Sequence, residues 1–386
     1  MSAENVYFNE EHKLFRKTVR SFAEHEIKPH AEEWERAGIF SKELFLKAGK
    51  LGLLGVRYDE KYGGTGLDYW YTVILCEELV RGMTLGAAVG LLAHGEFATS
   101  AVHDEGSDEL RREILAGAIR GEIILALGIT EPGFGSNVAG LQTTAKKEKD
   151  DYVINGSKTF ITNGTRADYV ILAARTGGPG AGGISLIAVP TDTKGFSVGR
   201  KLEKIASRSS DTAELFFQDC RVPTRYLIGE ENKGFSYIVK HFQGERLVLA
   251  SFSNALMQLM VEEALKYGRE REVFGKFILQ HQVWRHRLAD LLTWVEASRQ
   301  LTYHACHCLN LTGQASREVS MAKLLATETA KKIASEVFQL HGGYAVIEEY
   351  PICRLYREAA GLTIGAGTSE IMREIIAAET IEKGGK

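Results

Sequence analysis

The stretch Tyr152-Val153-Ile154-Asn155-Gly156-Ser157-Lys158-Thr159-Phe160-Ile161-Thr162-Asn163-Gly164 decides the fold. Two short runs rich in β-branched and aromatic residues each end in Asn-Gly. That dipeptide supplies the left-handed backbone of a tight hairpin turn. Working outward, residues 169–172, 184–189 and 213–217 are also apolar runs bounded by turn formers. Short strands at regular spacing predict a compact β domain over residues 125–232.

On either side the period changes from two to 3.6. Asn9 precedes Glu10 and Glu11, a helix start, and Leu14, Phe15, Val19 and Phe22 follow on one face. Ser41 is placed to cap a second helix carrying Leu44, Phe45, Ala48 and Leu51, and helical pattern continues to about Glu122. From Gly234 it resumes to the end, including a final helix from Glu370 to Ile381. The order is α, then β, then α. Strands that do not alternate with helices exclude a doubly wound α/β sheet. The fold class expected is α+β.

Composition narrows the function. The 386 residues are 44% hydrophobic and 25% charged, with a net charge of −3. That balance lacks the basic footprint of a nucleic-acid or anionic-membrane binder. The five cysteines are scattered, which fits a reducing compartment better than a disulfide framework. No apolar run reads as approaching the roughly 20 residues of a membrane span, and the N-terminus does not look like a targeting peptide. A cytoplasmic protein is expected.

Several motifs fail on context. Gly178-Pro179-Gly180-Ala181-Gly182-Gly183 satisfies G-x-G-x-x-G but leads into a strand, so it is read as a hairpin loop. His25 and His30 are five apart with Pro29 between them, which spoils a shared helix face. His304, His307 and Cys308 share a face, but Cys306 does not, so no metal site is expected.

Four features carry chemistry. Phe235, Ile238, Val239, Phe242, Leu249 and Phe252 form the apolar stripe of one helix, and Glu245 falls on that stripe. A buried carboxylate is costly unless it is paired or its pKa is raised. The bland alternative is a Glu at the stripe's edge, paired with Arg246 or His241. Residues 127–136, Leu-Gly-Ile-Thr-Glu-Pro-Gly-Phe-Gly-Ser, offer N–H groups and hydroxyls at a domain junction, or are a plain linker. Residues 339–343 and 364–370 are glycine-rich turns beside helices, which could be caps alone.

Taken in order, these segments resemble the acyl-CoA dehydrogenase family over nearly the whole chain. The matching pieces are Thr130-Glu131-Pro132-Gly133 through Ser136, residues 156–163, Asp211 to Leu215 with Arg221-Val222-Pro223, Gly234-Phe235, Arg271 to Gly275, Gln339 to Gly343, and Gly367 to Glu370. The resemblance implies an N-terminal helical domain (1–124), a middle β-barrel-like domain (125–232) and a C-terminal four-helix bundle (233–386). It implies FAD extended between the last two, and a homotetramer built as a dimer of dimers. Flavin-binding positions carried over are Leu127, Ile129, Thr130, Gly135, Ser136, Phe160, Ile161, Thr162, Arg271, Phe274, Gln282, Gln339, Leu340, Gly342, Gly343, Thr368, Ser369 and Glu370. Of these, Arg271 and Gln282 serve the neighbour's FAD. Ser136, Phe242, Gln243, Arg246, Gly365 and Ala366 are the implied substrate contacts.

The implied reaction is α,β-dehydrogenation of an acyl-CoA, with fatty-acid β-oxidation as the setting and electrons passing to an electron-transferring flavoprotein. Most members of the family carry the base just before the Gly-Thr of the C-terminal turn. That position is Ala366 here, while Glu245-Arg246-Leu247 resembles the base of the long-chain and isovaleryl branches. Glu245 is therefore the expected catalytic base, and a medium-to-long or β-branched acyl-CoA the expected substrate. Phe160 replaces a usual Trp, Tyr344-Ala345-Val346 departs from G-x-G-Y, and Ser236 stands where Tyr is frequent. Substrate identity is thus less transferable than the reaction. An oxidase or monooxygenase on the same fold, and a non-catalytic binding protein, are the alternatives.

Overall fold

A computed structural model describes residues 7–381. Of the expected terminal domains, the first six residues and the last five lie outside the described residues. The chain compacts into two units whose boundaries cut across the three expected segments. One comprises residues 32–68 and 86–244; the other comprises 7–31, 69–85 and 245–381.

The first unit is built on an eight-stranded sheet. Its strands are β1 (Leu125–Gly128), β2 (Thr144–Glu148), β3 (Asp151–Thr162), β4 (Tyr169–Arg175), β5 (Ile184–Pro190), β6 (Phe196–Lys201), β7 (Thr212–Pro223) and β8 (Leu227–Ile228). The order runs β6-β7-β3-β2-β4-β5-β8, with β1 added in parallel to β4. Val170 to Ala174 and Ile184 to Val189 are buried without alternation, because both faces of β4 and β5 are covered. The loop at residues 178–183 joins these antiparallel strands, as its sequence context requires.

The reading of Asn155-Gly156 as a hairpin turn is corrected. β3 runs straight through it for 12 residues and shifts register there against β7. Gly156 has φ +150°, and an added Cβ would lie 2.5 Å from Thr143 Oγ1. The glycine serves a bulge, not a turn. Asn155 instead bridges strands: its Oδ1 accepts from the Asp219 N–H (2.9 Å) and its Nδ2 donates to Asp219 Oδ1 (3.0 Å). Asn163-Gly164 does turn, with Asn163 at φ +62°.

Helices from the same unit cover the sheet. The Leu85–Glu105 run is long and apolar enough to span a membrane by length and composition, correcting the sequence reading. Most of it is buried within the protein, as befits a core helix. Inside that run, His94 accepts from the Leu125 N–H through Nδ1 (3.0 Å) and donates from Nε2 to the Ala118 carbonyl (2.9 Å). Burial lowers its pKa to about 4, so it holds β1 in place as a neutral ring.

The second unit is helical: Glu10–Phe22, Tyr69–Leu79, the helix Gly234–Glu270 from Glu245 onward, Gln282–Thr312, Ser316–His341, Pro351–Leu362 and Ser369–Ile381. Asn9 caps the first of these reciprocally with His12. Val19 and Phe22 are buried, but Leu14 is exposed. In the other unit the cap position of the Glu43–Lys50 helix is Lys42, one residue after the expected Ser41, whose hydroxyl still accepts from the Glu43 N–H at 3.3 Å. The Ser316–His341 helix packs through Val319, Ala322, Ala326, Ala330, Ile333, Val337 and Leu340. The four alanines in Ala322, Ala326, Ala330 and Ala334 let neighbouring helices approach closely.

One buried ion pair organises the loop after β1. The Lys158 ammonium donates to the Ile129 carbonyl (3.0 Å) and to Glu131 Oε1 (2.8 Å). Glu131 also accepts from the N–H groups of Gln142 (2.7 Å) and Thr143 (2.9 Å). Lys158 is fully buried, and burial pushes its pKa down to about 8. Removing one partner strands the other charge, at a cost of about 3–5 kcal/mol. Lys158→Met should therefore lower the thermal unfolding midpoint more than the double substitution Lys158→Met/Glu131→Gln, read by circular dichroism.

Candidate active site

Glu245 is 6% exposed on the Gly234–Glu270 helix. Its Oε1 has no hydrogen-bond partner. Desolvation raises its pKa to about 8, and the Arg246 charge opposes this only in part. The bland reading predicted a satisfied Glu at the stripe's edge; an orphaned oxygen on a buried face is the opposite. Arg246 and Gln243 are buried beside it, and Phe242 is half-buried. Val239, also placed on the stripe, is exposed.

The turn at residues 365–367 comes to the same helix. An added Cβ on Gly365 would sit 3.5 Å from Leu249 Cδ1, one helical turn beyond Glu245. Ala366 has φ +50° and Gly367 φ +99°. Among the described residues, the N–H groups of Gly365 and Ala366 meet no backbone acceptor. A non-glycine residue held in this region stores about 1–3 kcal/mol of strain, which persists only where surrounding structure enforces it. Beyond the turn, Thr368 Oγ1 accepts from the Ile371 N–H (3.4 Å), and the Ser369 hydroxyl is buried and donates to Glu328 (2.5 Å). Ser369 is thus placed to hold the helix start, while Thr368 and the exposed Glu370 remain accessible.

A second set gathers at a cavity of ≈ 470 Å³ in the same unit. Arg271, Leu340, Gly342 and Gly343 line it together with Tyr267, Val273, His341 and Tyr344. Tyr267 and His341 stack with centroids 4.4 Å apart. Arg271 opens a short hairpin, Glu272–Val273 against Lys276–Phe277, with Phe274 (φ +50°) and Gly275 (φ +71°) at its tip. Both central residues are left-handed, as a type I′ turn requires. Phe274 is 98% exposed at a position that favours glycine. His281 Nε2 donates to the Val273 carbonyl (3.1 Å), which ties the hairpin to the helix that Gln282 begins. Gln339 is exposed one residue before Leu340.

In the sheet unit, the ion pair of Lys158 joins two more predicted segments. The Thr159 N–H donates to the Thr130 carbonyl (2.9 Å), so Ile129 and Thr130 lie against Lys158 to Phe160. Phe160 is 67% exposed at φ +61°. Ile161 is buried in the core, Leu127 and Thr162 are half-buried, and Gly135 and Ser136 are exposed.

These residues fit a flavin dinucleotide. An added Cβ at Gly133, Gly135, Gly342 or Gly343 would meet nothing within 4 Å, so packing does not demand glycine there. Open glycine backbone, an exposed Arg271 and exposed aromatics at strained turns are what a large, flat, anionic ligand needs. The metal-like cysteines and histidines do not assemble: Cys308 Sγ lies 3.6 Å from His304 Nε2, while Cys306 is buried and takes a contact from Asn310. Among the described residues, Asp104, Glu105 and His241 form the one group with metal-like spacing. Lys240 already fills it, 2.8 Å from Glu105 and 3.3 Å from Asp104.

Sequence reasoning missed Tyr267, Tyr344, Lys158 and Lys323. For Lys323 a signal existed: it interrupts an apolar helix face, as Glu245 does, whereas Lys158 stands between Ser157 and Thr159 and gave none. The tyrosines line a cavity formed by segments far apart in sequence and gave no local signal.

The chain matches three family models: the acyl-CoA dehydrogenase N-terminal domain over residues 9–122, the middle domain over 126–220 and the C-terminal domain over 232–381. It is 41% identical to a protein named long-chain specific acyl-CoA dehydrogenase, mitochondrial, from Sus scrofa, over 97% of this chain and 87% of that one. It is similar to the crystal structure of a probable acyl-CoA dehydrogenase from Mycobacterium abscessus, at 40% identity and a TM-score of 0.94, covering 96% of this chain and 99% of that one. A glutaryl-CoA dehydrogenase from Mycobacterium smegmatis in complex with FADH2 is similar at 28% identity and a TM-score of 0.92, covering 98% and 97%. With its orphaned glutamate and its open glycine turns, the chain belongs to the acyl-CoA dehydrogenase family and is an FAD-dependent oxidoreductase.

Proposed function

We propose that the protein removes an α-proton and a β-hydride from an acyl-CoA thioester, giving a trans-2-enoyl-CoA, with Glu245 as the base. The observation that carries this is the buried, unpartnered Oε1 of Glu245, paired with alanine at position 366. A carboxylate without hydrogen bonds in a water-poor site is a stronger base than one in solution. When bound, FAD supplies the hydride acceptor. Leu127 to Ser136, Phe160 to Thr162, Gln339 to Gly343, Thr368 and Glu370 are the residues suited to hold it. Arg271 and Gln282 are assigned to the FAD of a neighbouring copy in a homotetramer.

The α-proton of a thioester is weakly acidic, so removing it requires donors at the carbonyl oxygen. The N–H groups of Gly365 and Ala366 meet no backbone acceptor among the described residues, in a turn that sets Gly365 near Leu249 on the helix that carries Glu245. We assign them that role. Arg246, Gln243 and Phe242 are assigned to substrate binding. Medium-to-long or β-branched acyl-CoA is the proposed substrate class, supported by the base position and by similarity to the long-chain relative. A cytoplasmic role in fatty-acid β-oxidation, with electrons leaving to an electron-transferring flavoprotein, completes the reading.

The test is bleaching of the flavin's visible band by a panel of acyl-CoAs under anaerobic conditions. Glu245→Gln should keep its FAD yet lose about 10²–10⁴-fold in the bleaching rate, the usual worth of a general base. Wild-type bleaching rates in that variant contradict the assignment.

Acidity gives two more outcomes. The base must be ionised in the free enzyme, so kcat/KM should rise with pH through about 8. Stability runs the other way. With a pKa raised from 4.5 to about 8, the folded state holds the extra proton between those values, so ionising Glu245 destabilises the fold as pH rises. Glu245→Gln lacks that loss. Its melting temperature relative to wild type should increase from pH 5 to pH 8; a constant difference contradicts the raised pKa.

A further inference from the structure

The apolar face of the Ser316–His341 helix carries one charge, Lys323. It is fully buried between Val319, Ala322 and Ala326, and its ammonium donates to the Gly367 carbonyl at 2.6 Å. Gly367 closes the turn that holds Ala366 in the left-handed region. Burial and the Arg246 charge lower the Lys323 pKa to about 8, opposed by Glu328 and Glu370, so the ammonium form persists at neutral pH. Arg246 adjoins Glu245, and Glu328 receives the Ser369 hydroxyl, so these charges belong to the same neighbourhood. A buried ammonium is expensive, and a hydrophobic residue would pack this helix face without that cost. What the lysine adds is a fixed, charge-assisted hydrogen bond to a strained turn.

We propose that Lys323 is a positioning residue for the reaction: it pins the Gly365–Gly367 turn so that the turn's N–H groups meet the thioester oxygen, and its charge stabilises the enolate that forms there. Its pull on the Gly367 carbonyl also polarises the peptide that ends in the Thr368 N–H, making that group a stronger donor. The lysine touches neither substrate nor base; it acts through the turn. This inference rests on the acyl-CoA reading of Glu245.

The test uses the FAD-loaded enzyme and a 3-thiaacyl-CoA, an analogue whose α-proton can be removed but which cannot be oxidised. Deprotonation beside oxidised flavin produces a long-wavelength charge-transfer band, a readout independent of turnover. Lys323→Met should bind the analogue within about threefold of wild type, yet lose about 10²-fold in the deprotonated fraction, the scale of one lost oxyanion donor. Lys323→Gln keeps a donor for Gly367 but no charge, and should fall between the two. A wild-type band in Lys323→Met, with FAD content unchanged, overturns the proposal alone. Loss of FAD from both variants also overturns it, since the lysine would then serve folding. A silent wild-type enzyme overturns the acyl-CoA reading, and this inference with it.

Discussion

The proposed chemistry depends on taking one carboxyl group out of water and leaving it unsatisfied. Water would solvate a Glu245 carboxylate strongly, and burial withdraws that solvation without a replacement at Oε1. The consequence is a group that resists ionising at neutral pH. That costs stability in the resting protein and, in the proposed reaction, supplies basicity when an acidic C–H is presented. The adjacent Arg246 charge limits the shift but does not cancel it, because burial outweighs a single partly desolvated cation.

The surrounding structure stores strain in the same service. Phe160, Phe274 and Ala366 all adopt left-handed backbone that favours glycine. Each stands on a segment the sequence marks for FAD or substrate, and two are large aromatics left exposed. Strain of about 1–3 kcal/mol per residue is kept only where neighbouring structure enforces it. In both units a buried lysine is part of that enforcement: Lys158 grips the Ile129 carbonyl, and Lys323 grips the Gly367 carbonyl. A lysine can reach a loop carbonyl from inside a packed face, where shorter donors cannot.

Much of this was legible in the sequence, for stated reasons. Helical and strand periods gave the α, β, α order, because burial of one face imposes them. Glu245 was legible as a polar interruption of an apolar stripe, and Ala366 as the acid missing from its usual place. Asn155-Gly156 was misread because a bulge and a turn ask for the same residues; only the pairing of β3 with β7 separates them. The Leu85–Glu105 run was undervalued because its alanines and glycines dilute its apolar character, although the helix is buried. The cavity around Arg271 and Gly342 is a product of tertiary packing, and periodicity carries no trace of it. Lys158, between Ser157 and Thr159, looked like an ordinary surface charge, since lysine is rarely buried, whereas Lys323 did interrupt an apolar face.

The central claim is the protonation state of one side chain, and that can be seen directly. Infrared difference spectra of wild type minus Glu245→Gln, recorded from pH 4 to pH 10, isolate the carbonyl stretch of a protonated Glu245. The account predicts that the band persists through neutrality and disappears with a midpoint near about 8. A midpoint near the ordinary carboxylate value of roughly 4.3 would contradict it.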